Sequence, residues 1–103
     1  MLELNQETFQ DFIKGETPAL VDFWAPWCMP CRIFAPVLED LSDELDGKVE
    51  FGKVNIDDNP DLASQYGITT IPTIILFQQG KPVTQMIGVH SREKVLSTIT
   101  SHL

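Results

Sequence analysis

A chain of 103 residues, 43% of them hydrophobic, is long enough for one domain with a buried core and too short for two. Its net charge of −8, with no Lys/Arg cluster, argues against nucleic acid as a partner. No run of about 18 apolar residues exists to span a bilayer. The opening Met1-Leu2-Glu3-Leu4-Asn5 lacks the basic start and apolar run of a secretory signal, so a single domain over residues 1–103, resident in the cytoplasm and monomeric, is expected.

In chain order, Asn5 can cap a short helix running to about Lys14, with Phe9, Phe12 and Ile13 on one face. Gly15 and Pro18 punctuate the chain before Ala19-Leu20-Val21-Asp22-Phe23-Trp24-Ala25, a nearly continuous apolar run of the kind found in a strand covered on both sides. A single carboxylate, Asp22, sits in its middle. A second helix is expected from about Cys28 to Gly47, which suits a left-handed cap, with Ile33, Phe34, Val37, Leu38, Leu41 and Leu45 as its buried stripe. Pro36 falls inside it and predicts a kink.

Val49 to Ile56 reads as another strand, and Asn59-Pro60-Asp61 as the start of a short helix, with Asn59 as cap and Pro60 at its first position. Thr73-Ile74-Ile75-Leu76-Phe77 is a third apolar strand, turning at Gln79-Gly80 into Pro82–Ile87 to make a hairpin. Ser91 caps a last helix that carries Val95, Leu96, Ile99 and Leu103 inward. Strands alternating with helices and ending in a hairpin indicate an α/β layered domain with a mixed sheet.

The chemistry concentrates at Trp27-Cys28-Met29-Pro30-Cys31, which holds the only two cysteines. Residues i and i+3 at a helix start have Cβ atoms roughly 5–6 Å apart, near enough to bridge after a small adjustment. So short a loop removes little unfolded-state entropy, and reducing cytosol opposes structural disulfides. Reversible dithiol chemistry is the better reading. A zinc site would need two further ligands, and no other cysteine exists.

At the helix start, unpaired N–H groups and the positive end of the macrodipole favour a thiolate. Cys28 is therefore expected to be the solvent-facing nucleophile with a lowered pKa, and Cys31, one turn deeper, the resolving thiol. Asp22, buried in its strand, should have a raised pKa, and Lys53 on the next strand is its expected charge partner, although the lysine stem covering the sheet explains it nearly as well. Trp27, Met29, Ile71, Gly88 and Val89 are expected to form a flat apolar patch around Cys28. Trp24 belongs to the core, and His90 and His102 to the solvated surface.

Four blocks carry a family resemblance: Val21-Asp22-Phe23-Trp24-Ala25-Pro26-Trp27-Cys28-Met29-Pro30-Cys31, Lys53-Val54-Asn55-Ile56-Asp57, Tyr66-Gly67-Ile68 and Ile71-Pro72-Thr73. In these and their spacing the chain resembles the thioredoxin family. The resemblance implies a thioredoxin fold, a five-stranded mixed sheet flanked by four helices. It also implies a disulfide reductase with no bound cofactor, working through a redox-active Cys28–Cys31 disulfide. Electrons would come from NADPH through a flavoprotein thioredoxin reductase and pass to disulfide-containing proteins.

The same resemblance makes Asp22 the general base for Cys31 through water, and makes Ile71-Pro72 a cis bond facing the cysteines, with the Ile71 backbone free to pair with an extended substrate. Thioredoxins usually carry Gly-Pro between the cysteines; here Met29-Pro30 stands there, at the dipeptide that tunes the potential. Pro30 favours the reductase over the oxidant or isomerase branches, which remain the alternative if Met29 raises the potential. A binding module docking through the apolar patch is the alternative from outside redox chemistry.

Overall fold

The computed structural model describes residues 1–103. Along the chain it forms β1 (Leu2–Leu4), α1 (Phe9–Ile13), β2 (Ala19–Trp24), α2 (Met29–Glu44), β3 (Glu50–Asn55), α3 (Pro60–Gln65), β4 (Thr73–Gln78), β5 (Lys81–Ile87) and α4 (Arg92–Thr100). The five strands make one mixed sheet in the order β1-β3-β2-β4-β5. β1 and β2 pair parallel to β3, β4 runs antiparallel to β2, and β5 antiparallel to β4. This is the thioredoxin fold expected from the resemblance.

The apolar run of β2 becomes the central strand because a strand paired on both edges and covered on both faces must be apolar nearly throughout. Alternation then divides the core. Leu20 faces a cluster with Phe34, Leu38 and Leu41 of α2 and with Val95 and Ile99 of α4. Val21 and Phe23 face the opposite side, against Phe9, Ile13, Leu62 and Phe77. Tyr66 joins Phe9 and Phe77 there, its ring centroid 5.4 Å from each. Gln79 and Gly80 both take positive φ (51° and 83°), as a two-residue hairpin loop with the twist of its strands requires.

Several local expectations change. β1 was not legible, since three residues carry too little alternation; it exists by pairing with β3. Asn5 sits ahead of α1, where its Oδ1 accepts the Glu7 and Thr8 N–H groups at 2.8 and 3.0 Å in a tight turn. Ile33 is 61% exposed, because it lies about 100° round α2 from Phe34 and outside the stripe that Phe34, Leu38 and Leu41 bury. Pro36 lies inside α2, as expected, on its exposed side. Asn59 occupies the cap position of α3 without a capping bond; its side chain instead accepts from Gln6 N–H and donates to Asn55 O. Ser91 does cap α4, accepting the Lys94 N–H at 3.2 Å, while Leu103 lies exposed past the helix end. Arg92 ties α4 to α2 through Asp40 and Glu44.

Gly52 in β3 has no room for a side chain: an added Cβ would lie 2.7 Å from Leu4 Cδ1 and 3.0 Å from Phe12 Cε2. Leu4 is buried and cannot step aside. Gly52→Ala should therefore destabilise the protein by about 1–3 kcal/mol, as over-packing does. The guanidinium midpoint checks this, and an unchanged midpoint would refute it.

Candidate active site

Strand direction assembles the site. β2 ends at Trp24, and β4, antiparallel beside it, begins at Thr73 opposite Phe23, so the loop entering β4 meets the loop leaving β2. Ile87, the last residue of β5, pairs with Thr73, which delivers Gly88 and Val89 to the same end. Asn55, at the end of β3, pairs with Trp24 and delivers Ile56 and Asp57. The largest concavity, about 460 Å³, lies at the other end of the sheet among Thr17, Gly47 and Glu50, remote from both cysteines.

Cys28 is the N-cap of α2 and is disulfide-bonded to Cys31, with a Cα–Cα separation of 5.3 Å. Its Sγ accepts the Cys31 N–H at 3.2 Å, meeting one of the donors that a helix start leaves free. Pro30 fits in this first turn because its missing N–H has no helical partner to lose. The first turn carries no acidic side chain, so the positive end of α2 acts on the sulfur alone.

Cys28 is less open than expected of a solvent-facing nucleophile. Cys28 is only 5% exposed and Cys31 2%, packed among Ala25, Trp24, Ile56 and Ile71. Exposure belongs to the rim instead: Trp27 is 69% and Met29 59% exposed, and Val89 is also on the surface. The Ile71-Pro72 bond is cis, and Ile71 O stands 3.9 Å from Cys28 Sγ. The Ile71 N–H has no partner within the protein. Gly88 N–H donates to Pro72 O at 2.8 Å and pins the Gly88-Val89 turn beside the cis-proline, with Gly88 at a φ of 88°. Ile71, Pro72 and Gly88 thus come together beside Cys28, while Trp27, Met29 and Ile33 are exposed on the chain around the cysteines.

One contributor was missed. Trp27 Nε1 donates to Asp57 Oδ2 at 2.9 Å, and the Asp57 N–H is held by Asn55 Oδ1 at 2.9 Å. A carboxylate thus anchors the otherwise exposed indole. The block Lys53-Val54-Asn55-Ile56-Asp57 contained both residues, but nothing in it told which side chain Asp57 would reach.

Asp22 is 3% exposed on the α2 face of β2, and its Oδ1 has no hydrogen-bond partner within the protein. Burial pushes its carboxyl up to about 7, opposed by the charge of Lys53. Lys53 sits directly across in register but forms no ion pair with it. Its ammonium lies over the Trp24 ring, 4.9 Å from the centroid. The expected partnership therefore acts through space, without contact. Asp22, Lys53, Trp24 and Cys31 line one cavity of about 70 Å³. No group of three or more His, Cys, Asp or Glu side chains is arranged to hold a metal ion.

The thioredoxin family model matches residues 1–101. The chain belongs to the thioredoxin family. Among curated relatives, the thioredoxin of Alicyclobacillus acidocaldarius is 49% identical over 91% of this chain and 90% of its own length. Thioredoxin 1 of a Nostoc species is 42% identical over 98% of this chain and 95% of its own, and the Synechocystis thioredoxin is 46% identical over 91% and 88%. Members of the family are thiol–disulfide oxidoreductases, and with its Cys28–Cys31 pair this chain is one as well. The pair is consistent with disulfide reduction.

The raised pKa of Asp22 sets a stability profile. Between the unfolded value of about 3.9 and the folded value of about 7 the native state binds more protons than the unfolded chain. Stability therefore falls as pH rises through that window and then levels off, at a total cost of at most about 4 kcal/mol. Asp22→Asn should match the wild type near pH 4 and be more stable at pH 8, read from urea midpoints across pH. Equal midpoints at pH 8 would contradict the burial cost.

Proposed function

We propose that this chain is a general protein disulfide reductase of the cytoplasm, working as a monomer and carrying electrons from an NADPH-dependent flavoprotein reductase to disulfide-bonded proteins. It uses no cofactor beyond its own Cys28–Cys31 couple. The observation that supports this best is the cysteine pair at the start of α2, lying against the carbonyl of Ile71, whose N–H is unpaired.

An extended substrate segment pairs with the Ile71 backbone beside Pro72, which gives affinity without demanding particular side chains. Trp27, Met29, Gly88 and Val89 supply apolar contact around the incoming disulfide. In the reduced protein the Cys28 thiolate, stabilised by the Cys31 N–H and the helix start, attacks one substrate sulfur. The substrate S–S bond breaks, one substrate thiolate leaves, and the other sulfur stays on Cys28. Cys31 then gives up its proton and attacks Cys28 Sγ, which closes the Cys28–Cys31 bond and expels the second thiolate. The substrate gains two electrons and the cysteine pair loses two.

Asp22 takes the Cys31 proton. A carboxyl held near 7 can exchange a proton at neutral pH, which an ordinary surface aspartate cannot do efficiently. Lys53 limits how far that value rises. Pro30, together with Met29, sets the potential of the couple, and the exposed thioether of Met29 adapts to varied substrate surfaces.

Cys31→Ser should accumulate a covalent mixed disulfide with an oxidised test protein such as insulin, and Cys28→Ser should form none; mass spectrometry reads both. Equal trapping by the two variants would overturn the assignment. Equilibration of the wild-type pair against dithiothreitol should show a strongly reducing couple. A weakly reducing couple that becomes strongly reducing in Met29→Gly would move the assignment to the oxidant and isomerase branch.

A further inference from the structure

The cavities of this molecule differ in the charge of their walls. Asp46 and Glu50 line the concavity of about 460 Å³, and Asp22 and Glu39 the one of about 70 Å³. A third, an open groove of about 390 Å³ between β5 and α4, is lined by Gln85, Met86, Ile87, His90, Lys94 and Thr98. It carries a lysine, a histidine and no carboxylate, in a chain with 15 Asp and Glu against 7 Lys and Arg. Lys94 forms no ion pair within the protein. Glu93 points about 100° away round α4, and Arg92 is engaged by Asp40 and Glu44. The groove therefore presents one free cation in the first turn of α4, at the positive end of that capped helix.

The groove also begins where the cysteine end of the sheet stops. Ile87, at its mouth, pairs with Thr73, two residues from Ile71. Gly88 N–H donates to Pro72 O at 2.8 Å, and Ile71 O stands 3.9 Å from Cys28 Sγ. His90 fixes this mouth. Its Nε2 donates to Ile87 O at 2.9 Å, since a carbonyl can only accept. The turn from Ile87 to His90 is thereby held from both sides.

We propose that this groove is a subsite for an acidic side chain of the disulfide-bearing partner, with Lys94 as its specificity-determining residue. The inference rests on the reading that such partners pair with Ile71 beside Pro72. An extended segment rises about 3.3 Å per residue, so one that runs from Ile71 past the Gly88 turn needs only a few residues to enter the groove. There a carboxylate meets the Lys94 ammonium and the amide donors of Gln85. The contact is solvated, so it biases the choice among partners while backbone pairing supplies the affinity.

Two disulfide-bonded peptides that differ only in carrying Glu or Lys around the cysteine test the proposal. The Glu-to-Lys ratio of kcat/KM should fall on the order of 5-fold in Lys94→Glu, the scale of one exposed charge pair, and should be kept in Lys94→Arg. Lys81→Glu makes the same change of net charge at the far end of β5 and should leave the ratio nearly unmoved. A ratio that Lys94→Glu does not lower, or that Lys81→Glu shifts as far, would overturn the subsite. In the covalent complex of Cys31→Ser with the Glu peptide, nuclear Overhauser contacts should join the peptide to Lys94 and His90. Their absence would likewise overturn it. A wild type that reduces neither peptide would remove the reductase reading and the subsite with it. One that reduces both, at a ratio Lys94→Glu leaves unmoved, would remove the subsite alone.

Discussion

The register of β2 between β3 and β4 is the constraint on which the rest of this molecule depends. Residues 19–23 of β2 are paired on both sides, so no side chain of that strand can reach water past an edge. A slip by one residue would turn Asp22 and Trp24 from the α2 face to the side packed by Phe9 and Phe77, and would carry Val21 and Phe23 the other way. Both core clusters would lose their apolar contacts at once. Packing on the two faces therefore holds the carboxylate beneath Cys31, and the cost of its burial is carried by the whole sheet.

That burial is a conflict built into the fold. An ionised carboxylate without a contact partner destabilises the native state, and here Lys53 relieves the cost only from a distance, because its ammonium rests on the Trp24 ring. A direct ion pair would pull the Asp22 pKa back down, away from neutrality. The arrangement leaves in the core a carboxyl whose pKa lies near neutrality, at a cost in stability above that pH. The same economy is visible at the sulfurs. Both cysteines are sheltered, yet they lie at the end of the sheet where four segments converge, behind a rim of exposed apolar side chains.

That rim is apolar in composition but polar in its fastenings. Trp27 is held by Asp57, Asp57 by Asn55, and the Gly88 turn by the Pro72 carbonyl. Each fastening holds a rim group in one arrangement, which under the proposed function would reduce the entropy lost on docking. Ile33 extends the apolar surface one helical turn from Met29, since the buried stripe of α2 passes it by.

Much of this was legible in the residues. The apolar run around Asp22 foretold a central strand and a buried carboxylate, and two cysteines three positions apart at a helix start foretold the redox pair, because both rest on local periodicity and spacing. The Gln79-Gly80 hairpin and the Ser91 cap were readable for the same reason. What lay beyond local chemistry was every feature made by distant pairing. β1 exists by virtue of β3, Trp27 is fastened by a residue thirty positions away, Lys53 meets an indole and not the carboxylate, and Cys28 is sheltered by Ile56 and Ile71. Spacing along a chain sets which side chains share a face within one element. Which elements lie side by side, and in which direction they run, follows from how the whole core packs.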